Sequence, residues 1–448
     1  MARLHLIAAA ASSALLTACP GPQEESGHVV EDAPQAKNLM MISVDTYRRD
    51  FLSRYGSRYG VTDTMDALAA DSLVLDNHTS CSNWTLPSIL CAANGRNSEE
   101  FGYVAHIDPD MRTVVPERPS LASWLQDEGF ATLLFTPNGW LEGEWHHDSG
   151  YMEAVDLGTA SAPKVWTRGR TALQSKKEET GAERWFLHLH FDEPHAPYNP
   201  PDEYLTDLDD LDPIDYDLTS YDEHQSVRWQ LGSMSDEERE LVLEHLRIRY
   251  VGQMEYFDDL FEEVLQSMED EGFLDDTLLV LWTDHGEQFY ERDAWGHAFG
   301  LYQEETGAVA LFNHPEIEPQ AWEGPTSHID IAPTILHYLG IEQPEAITGH
   351  VAGTAPDNRV LLQVTSGQKG ANLRATVGSL RMDLDYESGR RQAFDYSSDP
   401  DEIEDVCDLD ASVDAALWTA LEGYADTLEP LLVDYRRSAT YKGCNGSD

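Results

Sequence analysis

The feature of this sequence that most constrains its fold is a set of short apolar runs that alternate with helical stretches. The helical stretches repeat apolar residues about every 3.6 positions, best over residues 235–271, where Ser235 and Glu238 can form a capping box. Short apolar runs rich in branched and aromatic residues are typical of buried parallel strands. The alternation therefore predicts an α/β fold with a large, mainly parallel sheet. The clearest runs are residues 38–44, 130–135, 185–191 and 277–282.

After Gly340 the pattern changes to short strands separated by turns, followed by one helix over about residues 413–432. We expect a smaller C-terminal subdomain built on an antiparallel sheet. Residues 202–233 are acidic and rich in tyrosine, which indicates a long surface loop. The short strands are predicted at residues 359–364, 373–377, 380–386 and 392–396.

The first residues are typical of an export signal. Arg3 precedes an alanine-rich apolar run, residues 4–16, which is too short to span a bilayer. The run ends in Leu-Thr-Ala-Cys, which resembles a bacterial lipoprotein box and makes Cys19 the lipidated residue. The alternative is an ordinary secretory signal with cleavage nearby. We expect an exported bacterial lipoprotein, periplasmic or at the cell surface, that is anchored in the membrane at Cys19.

These patterns divide the chain into four parts. Residues 1–19 are the signal with its lipobox, and residues 20–37, rich in Pro, Gly, Glu and Ser, are a flexible tether. Residues 38–345 are the α/β domain and residues 346–448 the C-terminal subdomain.

Charge excludes one class of partner. The chain has 29 basic and 82 acidic residues, a net charge of −53. Such a surface repels nucleic acid and anionic membrane surfaces. We expect no nucleic-acid partner, and membrane contact only through the lipid anchor.

Export also bears on the cysteines, because thiols tend to pair in oxidising compartments. Four remain besides the lipobox cysteine, so three pairings are open. Proximity favours Cys81–Cys91 and Cys407–Cys444, and free thiols are the alternative.

Acidic and imidazole side chains follow two of the apolar runs. Asp45 follows residues 38–44, and Asp284 with His285 follows residues 277–282. Parallel strands bring their carboxyl ends to one edge of a sheet, where α/β proteins place their chemistry. Oxygen ligands with one imidazole suit Ca²⁺, Mg²⁺ or Mn²⁺, and Zn²⁺ also accepts this set. The alternative is that Asp284 caps a turn and His285 packs in the core.

Thr85 precedes Pro87, which suits the first turn of a helix. A hydroxyl at a helix N-terminus lies beside N–H groups that favour an anion, as the attack on a phosphate or sulfate ester requires. The alternative is a simple helix cap.

Two histidines lie in loops after strands, His195 between Pro194 and Pro197 and His297 after Gly296. An imidazole held in such a loop can protonate a leaving group. Each could equally be a surface-loop residue.

Six motifs, in this order along residues 38–408, resemble landmarks of the sulfatase family, within the alkaline-phosphatase-like superfamily. They are residues 45–52, 190–198, 278–287, 296–305, 327–334 and 394–401.

The resemblance implies helices on both sides of the large sheet, a smaller C-terminal sheet and one divalent cation. Asp45, Asp284 and His285 then become metal ligands, Thr85 falls at the nucleophile position, and His195 and His297 contact substrate or leaving group. The implied substrate is a small-molecule, glycan or lipid ester.

Two departures separate this chain from typical sulfatases. Those carry Cys or Ser followed by x-Pro-x-Arg, which is converted to formylglycine, whereas this chain has Thr85 and Ile89. Thr46 also replaces a second aspartate ligand of many sulfatases. We expect no formylglycine, and Arg96 or Arg292 are candidates to replace the missing arginine.

Threonine at this position is typical of superfamily relatives that act on phosphate esters through a covalent phosphothreonine. We therefore favour phosphoesters over sulfate esters. The alternatives are a phospho-group transferase of the cell envelope and a non-catalytic, sulfatase-like binding lipoprotein.

Overall fold

The computed structural model describes residues 35–101, 119–141, 149–356, 358–367, 370–406, 409, 411–429, 431–432 and 437–438. Cys19, Cys407 and Cys444, and with them the lipidation and the second disulfide pairing, lie outside the described residues. Ala36, in the predicted tether, is buried, and its N–H donates to the carbonyl of Tyr338 at 2.8 Å.

The strands account for the four apolar runs and add others with weaker sequence signals. In chain order they are β1 (Asn38–Val44), β2 (Leu73–Thr79), β3 (Phe130–Thr136), β4 (Glu153–Asp156), β5 (Arg184–Phe191), β6 (Thr277–Thr283), β7 (Gln288–Phe289), β8 (Trp295–Gly296), β9 (Ala310–Asn313), β10 (Gln320–Ser327), β11 (Leu361–Gly367), β12 (Gly370–Val377), β13 (Leu380–Asp385) and β14 (Arg391–Asp395).

The large sheet has eight strands in the order β10-β2-β9-β6-β1-β5-β3-β4. Its strand pairs are parallel except those of β9, which is antiparallel to β2 and β6. Strands β11 to β14 form a separate antiparallel sheet, and β7 pairs with β8. The α/β fold class, with its smaller C-terminal sheet, is confirmed.

The helices of the described residues cover the sheet. They are α1 (Asp63–Ala70), α2 (Thr85–Asn94), α3 (Leu121–Asp127), α4 (Ala162–Thr180), α5 (Tyr221–Gln230), α6 (Asp236–Asp270), α7 (Gln303–Thr306), α8 (Ile331–Tyr338) and α9 (Ala411–Leu428).

Strand β1 explains why both faces of the sheet are covered. Met40, Ile42 and Val44 point into one hydrophobic core, which α1, α4 and α6 complete. Leu39 and Met41 point into a second core with residues of α2, α3 and α8. Because side chains alternate along a strand, a strand apolar at every position must be buried on both faces.

The expected surface loop over residues 202–233 is wrong in part. The segment contains three 3-10 helices and α5, and buried Leu218, Val227 and Leu231 join the first core. Three apolar side chains spaced four or more residues apart are enough to fix the segment, although its composition is dominated by acidic residues.

Helix α9 packs on β12 and β13, and the apolar side chains between them form a core of their own. Among the described residues, we find no helix that is both long and apolar enough to cross a membrane.

A candidate metal centre beside a threonine hydroxyl

Two neighbouring parallel strands bring the predicted metal ligands together. Asp45 follows β1, and Asp284 and His285 follow β6, which pairs with β1 in register. The N–H of Asp284 donates to the carbonyl of Val44 at 3.1 Å, which fixes one strand end beside the other. All three side chains are fully buried.

His285 presents one ring nitrogen to both carboxylates. Its Nε2 lies 3.7 Å from Asp45 Oδ1 and 3.5 Å from Asp284 Oδ2. Its Nδ1 lies 2.9 Å from the carbonyl oxygen of Gly286, to which an Nδ1–H donates. That bond leaves the Nε2 lone pair facing the carboxylates, the arrangement usual for a metal-bound histidine.

Two carboxylate oxygens at this point have no hydrogen-bond donor. Asp45 Oδ1 and Asp284 Oδ2 are buried and accept no hydrogen bond from any residue that the structure describes. Buried oxygens are almost always satisfied, so a pair left open beside an imidazole lone pair fits a cation. The donor set therefore fits a divalent metal.

Burial and mutual repulsion set the pKa values of the three residues. Burial opposes the charge of Asp45, but His195, His190 and His285 hold its pKa well below the usual range. Burial and the charge of Asp45 raise the pKa of Asp284 well above its usual value. Burial lowers the pKa of His285 to about 4, so its ring is neutral at pH 7, as a metal ligand must be.

Thr85 is the first residue of α2, and its hydroxyl faces this centre. Its Oγ1 lies 3.4 Å from His285 Nε2 and 3.5 Å from Asp45 Oδ2. The N-cap residue is Trp84, and no side-chain capping hydrogen bond is present. The alternative that Thr85 only caps the helix is therefore wrong.

A disulfide encloses the threonine. Cys81, which precedes α2, forms a disulfide with Cys91, which lies within α2. The bridge therefore closes a loop that contains Thr85. Of the two pairings that proximity favoured, Cys81–Cys91 is confirmed.

The loop ahead of Thr85 also rests on the C-terminal sheet. Thr365 Oγ1, on β11, donates to Asn83 Oδ1 at 2.6 Å. Gln363 Nε2 donates to the carbonyl of Ser80 at 2.5 Å, and Ser82 Oγ donates to the carbonyl of Val364 at 3.2 Å. Three hydrogen bonds thus fix the loop to one strand.

The two loop histidines lie at the same centre. The rings of His195 and His297 are 5.6 Å apart between centroids, and the ring of His297 is 4.5 Å from that of His285. Burial lowers the pKa of His195, but the charges of Asp45, Asp192 and Glu287 outweigh burial and raise it above its usual value. These charges therefore favour the protonated form of the His195 ring.

The sequence analysis missed several residues of this centre. Asn138 Nδ2 donates to Asp45 Oδ2 at 2.8 Å, and His190 Nε2 lies 3.4 Å from the same oxygen. Glu287, whose pKa burial raises to about 7, accepts a hydrogen bond from Tyr198. Asn138 follows β3 by two residues, so the strand-end argument used for Asp45 would have found it.

Both candidates for the missing arginine pair with acidic side chains. Arg96 pairs with Glu100, and Arg292 pairs with Glu304 at 3.2 Å. Ile89 is fully buried in the second core. A different arginine contacts a residue of the centre: Arg228 Nη2, on α5, donates to the carbonyl of His297 at 2.8 Å.

The fold and the centre define an α/β protein with a carboxylate and imidazole site at the carboxyl edge of a parallel sheet, the architecture of alkaline-phosphatase-like proteins. The chain belongs to the sulfatase family: residues 37–341, more than half of its length, match the family described as Sulfatase.

Individual relatives are distant in sequence. The uncharacterized sulfatase YidJ of Escherichia coli is 20% identical over 358 residues, 70% of this chain and 69% of its own length. Choline-sulfatase of Rhizobium meliloti is 23% identical over 342 residues, 71% of this chain and 66% of its own.

Solved structures confirm the fold. A putative sulfatase of Bacteroides fragilis has a TM-score of 0.69 at 16% identity, over 91% of this chain and 99% of that one. The phosphonate monoester hydrolase of Silicibacter pomeroyi has a TM-score of 0.63 at 19% identity, over 88% and 95%.

Proposed function

We propose that this protein is a metal-dependent hydrolase of phosphate-type esters that uses Thr85 as its nucleophile. The observation that carries the proposal is the position of the Thr85 hydroxyl, 3.4 Å from His285 Nε2 and 3.5 Å from Asp45 Oδ2. A threonine oxygen at a helix N-terminus, beside unsatisfied carboxylates, is placed for attack on a tetrahedral anion.

Asp45, Asp284 and His285 would hold the cation. When bound, it supplies Lewis-acid stabilisation of negative charge on the threonine and phosphoryl oxygens. Assays with Ca²⁺, Mg²⁺, Mn²⁺ and Zn²⁺ in turn would identify the ion.

The residues of this chain and solvent account for the bonds and protons of the reaction. The Thr85 hydroxyl loses its proton to solvent, and its Oγ1 bonds to phosphorus as the ester P–O bond breaks. His195 gives its proton to the leaving alcohol, with His297 beside it. Water then attacks phosphorus and gives a proton to His195, the bond between phosphorus and Thr85 Oγ1 breaks, and the Thr85 oxygen regains a proton from solvent. The products are the alcohol and phosphate.

Phosphate-type esters are favoured over sulfate esters because this chain lacks the residues that form formylglycine. Thr85 and Ile89 replace the Cys or Ser and the Arg of that motif.

The experiment is a substrate series on the purified protein. Aryl phosphate, phosphodiester, phosphonate and sulfate esters would be assayed with each divalent metal, for the wild type and for Thr85→Ala. Thr171→Ala, on the exposed face of α4, is the matched control. We expect phosphate-type turnover that Thr85→Ala abolishes and Thr171→Ala leaves unchanged.

Two results would overturn the proposal. Sulfate turnover that survives Thr85→Ala would remove Thr85 as the nucleophile. Metal binding without turnover of any ester would favour a non-catalytic binding protein.

We also propose that the protein is exported and anchored by a lipid at Cys19. The lipobox supports this assignment, and the Cys81–Cys91 disulfide is typical of exported proteins. Palmitate labelling should mark the wild type in the membrane fraction and should not mark Cys19→Ser. Equal labelling of both proteins would exclude the anchor.

A further inference from the structure

We propose a second divalent-cation site, formed by Asp45, His190 and Asp192, that shares Asp45 with the site described above. It rests on that first site as a neighbour, but not on the identity of the ester or on turnover. The protein would then hold two cations, one more than the resemblance implies.

The sheet places the second set opposite the first. β1 lies between β6 and β5 and is parallel to both, with Ser43 opposite His190 and Val44 opposite Phe191. The N–H of Asp45 donates to the carbonyl of Phe191 at 3.0 Å. Asp45 therefore has Asp284 and His285 on one side, and His190 and Asp192 on the other.

The two sets share a geometry. Within each, the candidate ligand atoms lie within 4.8 Å of one another. His285 Nε2 approaches Asp45 Oδ1 at 3.7 Å, and His190 Nε2 approaches Asp45 Oδ2 at 3.4 Å. Each carboxylate oxygen of Asp45 thus faces one imidazole, and each set adds one further aspartate.

The ring of His190 is held as a metal ligand requires. Its Nδ1 lies 2.8 Å from Ser43 Oγ, and Ser43 Oγ lies 3.0 Å from His188 Nε2. His188 Nδ1 in turn lies 2.9 Å from the Tyr151 hydroxyl. When His190 donates to Ser43 and Ser43 donates to His188, the Nε2 lone pair of His190 faces Asp45.

The distance between His190 and Asp45 fits two ligands of one ion better than a direct bond. A hydrogen bond to a carboxylate is usually about 2.7–2.9 Å long, and this one is 3.4 Å. Two ligands about 2.1 Å from a tetrahedral ion are about 3.4 Å apart.

The positive groups near the carboxylates of the second set are imidazoles, His195 among them. Among the described residues, neither Asp45 nor Asp192 forms an ion pair with an arginine or lysine, and the ion pairs of Asp45 are with histidines alone. A fully buried carboxylate such as Asp45 is normally paired or bound to metal, and Asp192 beside it is half-buried. A second dication would balance the three aspartates that meet here.

Metal content and spin resonance of the purified protein test this directly. After loading with Mn²⁺ and removal of loosely bound ions on a chelating resin, we expect two Mn²⁺ per chain. Ions that share the Asp45 carboxylate should give an exchange-coupled spectrum in place of the six-line signal of isolated Mn²⁺.

Variants separate the two sites. Asp192→Asn and His190→Gln should each retain one ion with a six-line signal, and Ser43→Ala should weaken binding of the second ion about tenfold. Asp222→Asn, an exposed acid on α5, controls for binding to the acidic surface and should keep both ions.

One ion per chain in the wild type, or two coupled ions in Asp192→Asn, would overturn the inference. Because both readouts count ions, two coupled ions in a protein that hydrolyses no ester would support the second site and reject the proposed function. Ester turnover by a protein that binds a single ion would support the proposed function and reject the second site.

Discussion

Asn83 and Glu305 are joined by a hydrogen bond of 2.7 Å, from Asn83 Nδ2 to Glu305 Oε2, which connects the loop before Thr85 to helix α7. Glu305 also accepts the N–H groups of Phe299, at 3.0 Å, and Gly300, at 2.9 Å. A fourth donor, Gln288 Nε2, completes the set. One buried carboxylate therefore fixes the position of the loop before Thr85 relative to Phe299 and Gly300.

Glu305→Gln should damage this connection although the two side chains have the same shape. All four partners are N–H donors, so the new amide NH₂ would face two donors with no acceptor. We expect unfolding free energy to fall by about 1–3 kcal/mol, and kcat to fall with little change in KM. Denaturant unfolding and steady-state kinetics measure both effects. Unchanged stability and kcat would show that the carboxylate is dispensable, and Glu318→Gln, on the surface, is the control.

Arg228 should act as a positioning residue for His297. Its guanidinium donates to the His297 carbonyl, and its Cζ lies 4.6 Å from the centre of the Phe299 ring. Lysine has no planar fork that could donate and stack at once. We expect Arg228→Lys to lower kcat about tenfold and to keep the fold. Arg239→Lys, whose arginine pairs with Asp236 at the surface, should match the wild type; equal kcat in both variants would remove the role of Arg228.

The pH profile should report His195. A proton donor works while it is protonated, and the charges of Asp45, Asp192 and Glu287 raise the pKa of this imidazole above its usual 6.5. Activity should therefore fall as pH rises through the pKa of His195, and cations bound at Asp45 should lower that pKa. In His195→Gln that alkaline fall in kcat/KM should disappear, along with most of the rate. A fall that persists unchanged in the variant would assign it to another group.

Glu99 should make the protein less stable as pH rises. Burial raises its pKa from 4.5 to about 7, and Tyr424 on α9 donates a hydrogen bond of 2.6 Å to it. Because the folded state holds this proton more tightly, the contribution is present below pH 4.5 and is lost as pH rises through 7. The loss amounts to about 3 kcal/mol.

Glu99→Gln cannot titrate, so the difference in unfolding free energy between wild type and variant should change with pH over this interval. Denaturant unfolding at pH 4.5 and pH 7.5 measures it. A constant difference would mean that Glu99 titrates normally.

The part of the site that sequence predicts well is the part that follows apolar strands. Asp45 and Asp284 could be placed together without the structure because parallel strands end at one edge. His190 and Asp192 belong to the same edge, but alternation within a strand does not reveal which strands are neighbours. The position of β5 beside β1 is a tertiary fact.

Two other features of the structure were not predicted from the sequence, each for its own physical reason. Helix α5 lies in a segment whose acidic residues conceal the apolar side chains that fix it, Val227 among them. Arg228 gave no sequence signal because it acts on a backbone carbonyl of a residue 69 positions away. Arg96 and Arg292 were candidates to replace the missing arginine because of their charge. In the structure Arg96 pairs with Glu100 and Arg292 pairs with Glu304.

The three hydrogen bonds between β11 and the loop before Thr85 limit how this protein can be recombined with relatives. A chimera that exchanges the C-terminal sheet must carry compatible residues at 363–365 and 80–83 together, because Gln363 and Thr365 each satisfy a polar group in that loop. The α/β part is therefore not a transferable module by itself. A chimera that takes Thr85 and its loop from this protein should therefore also take β11 from it.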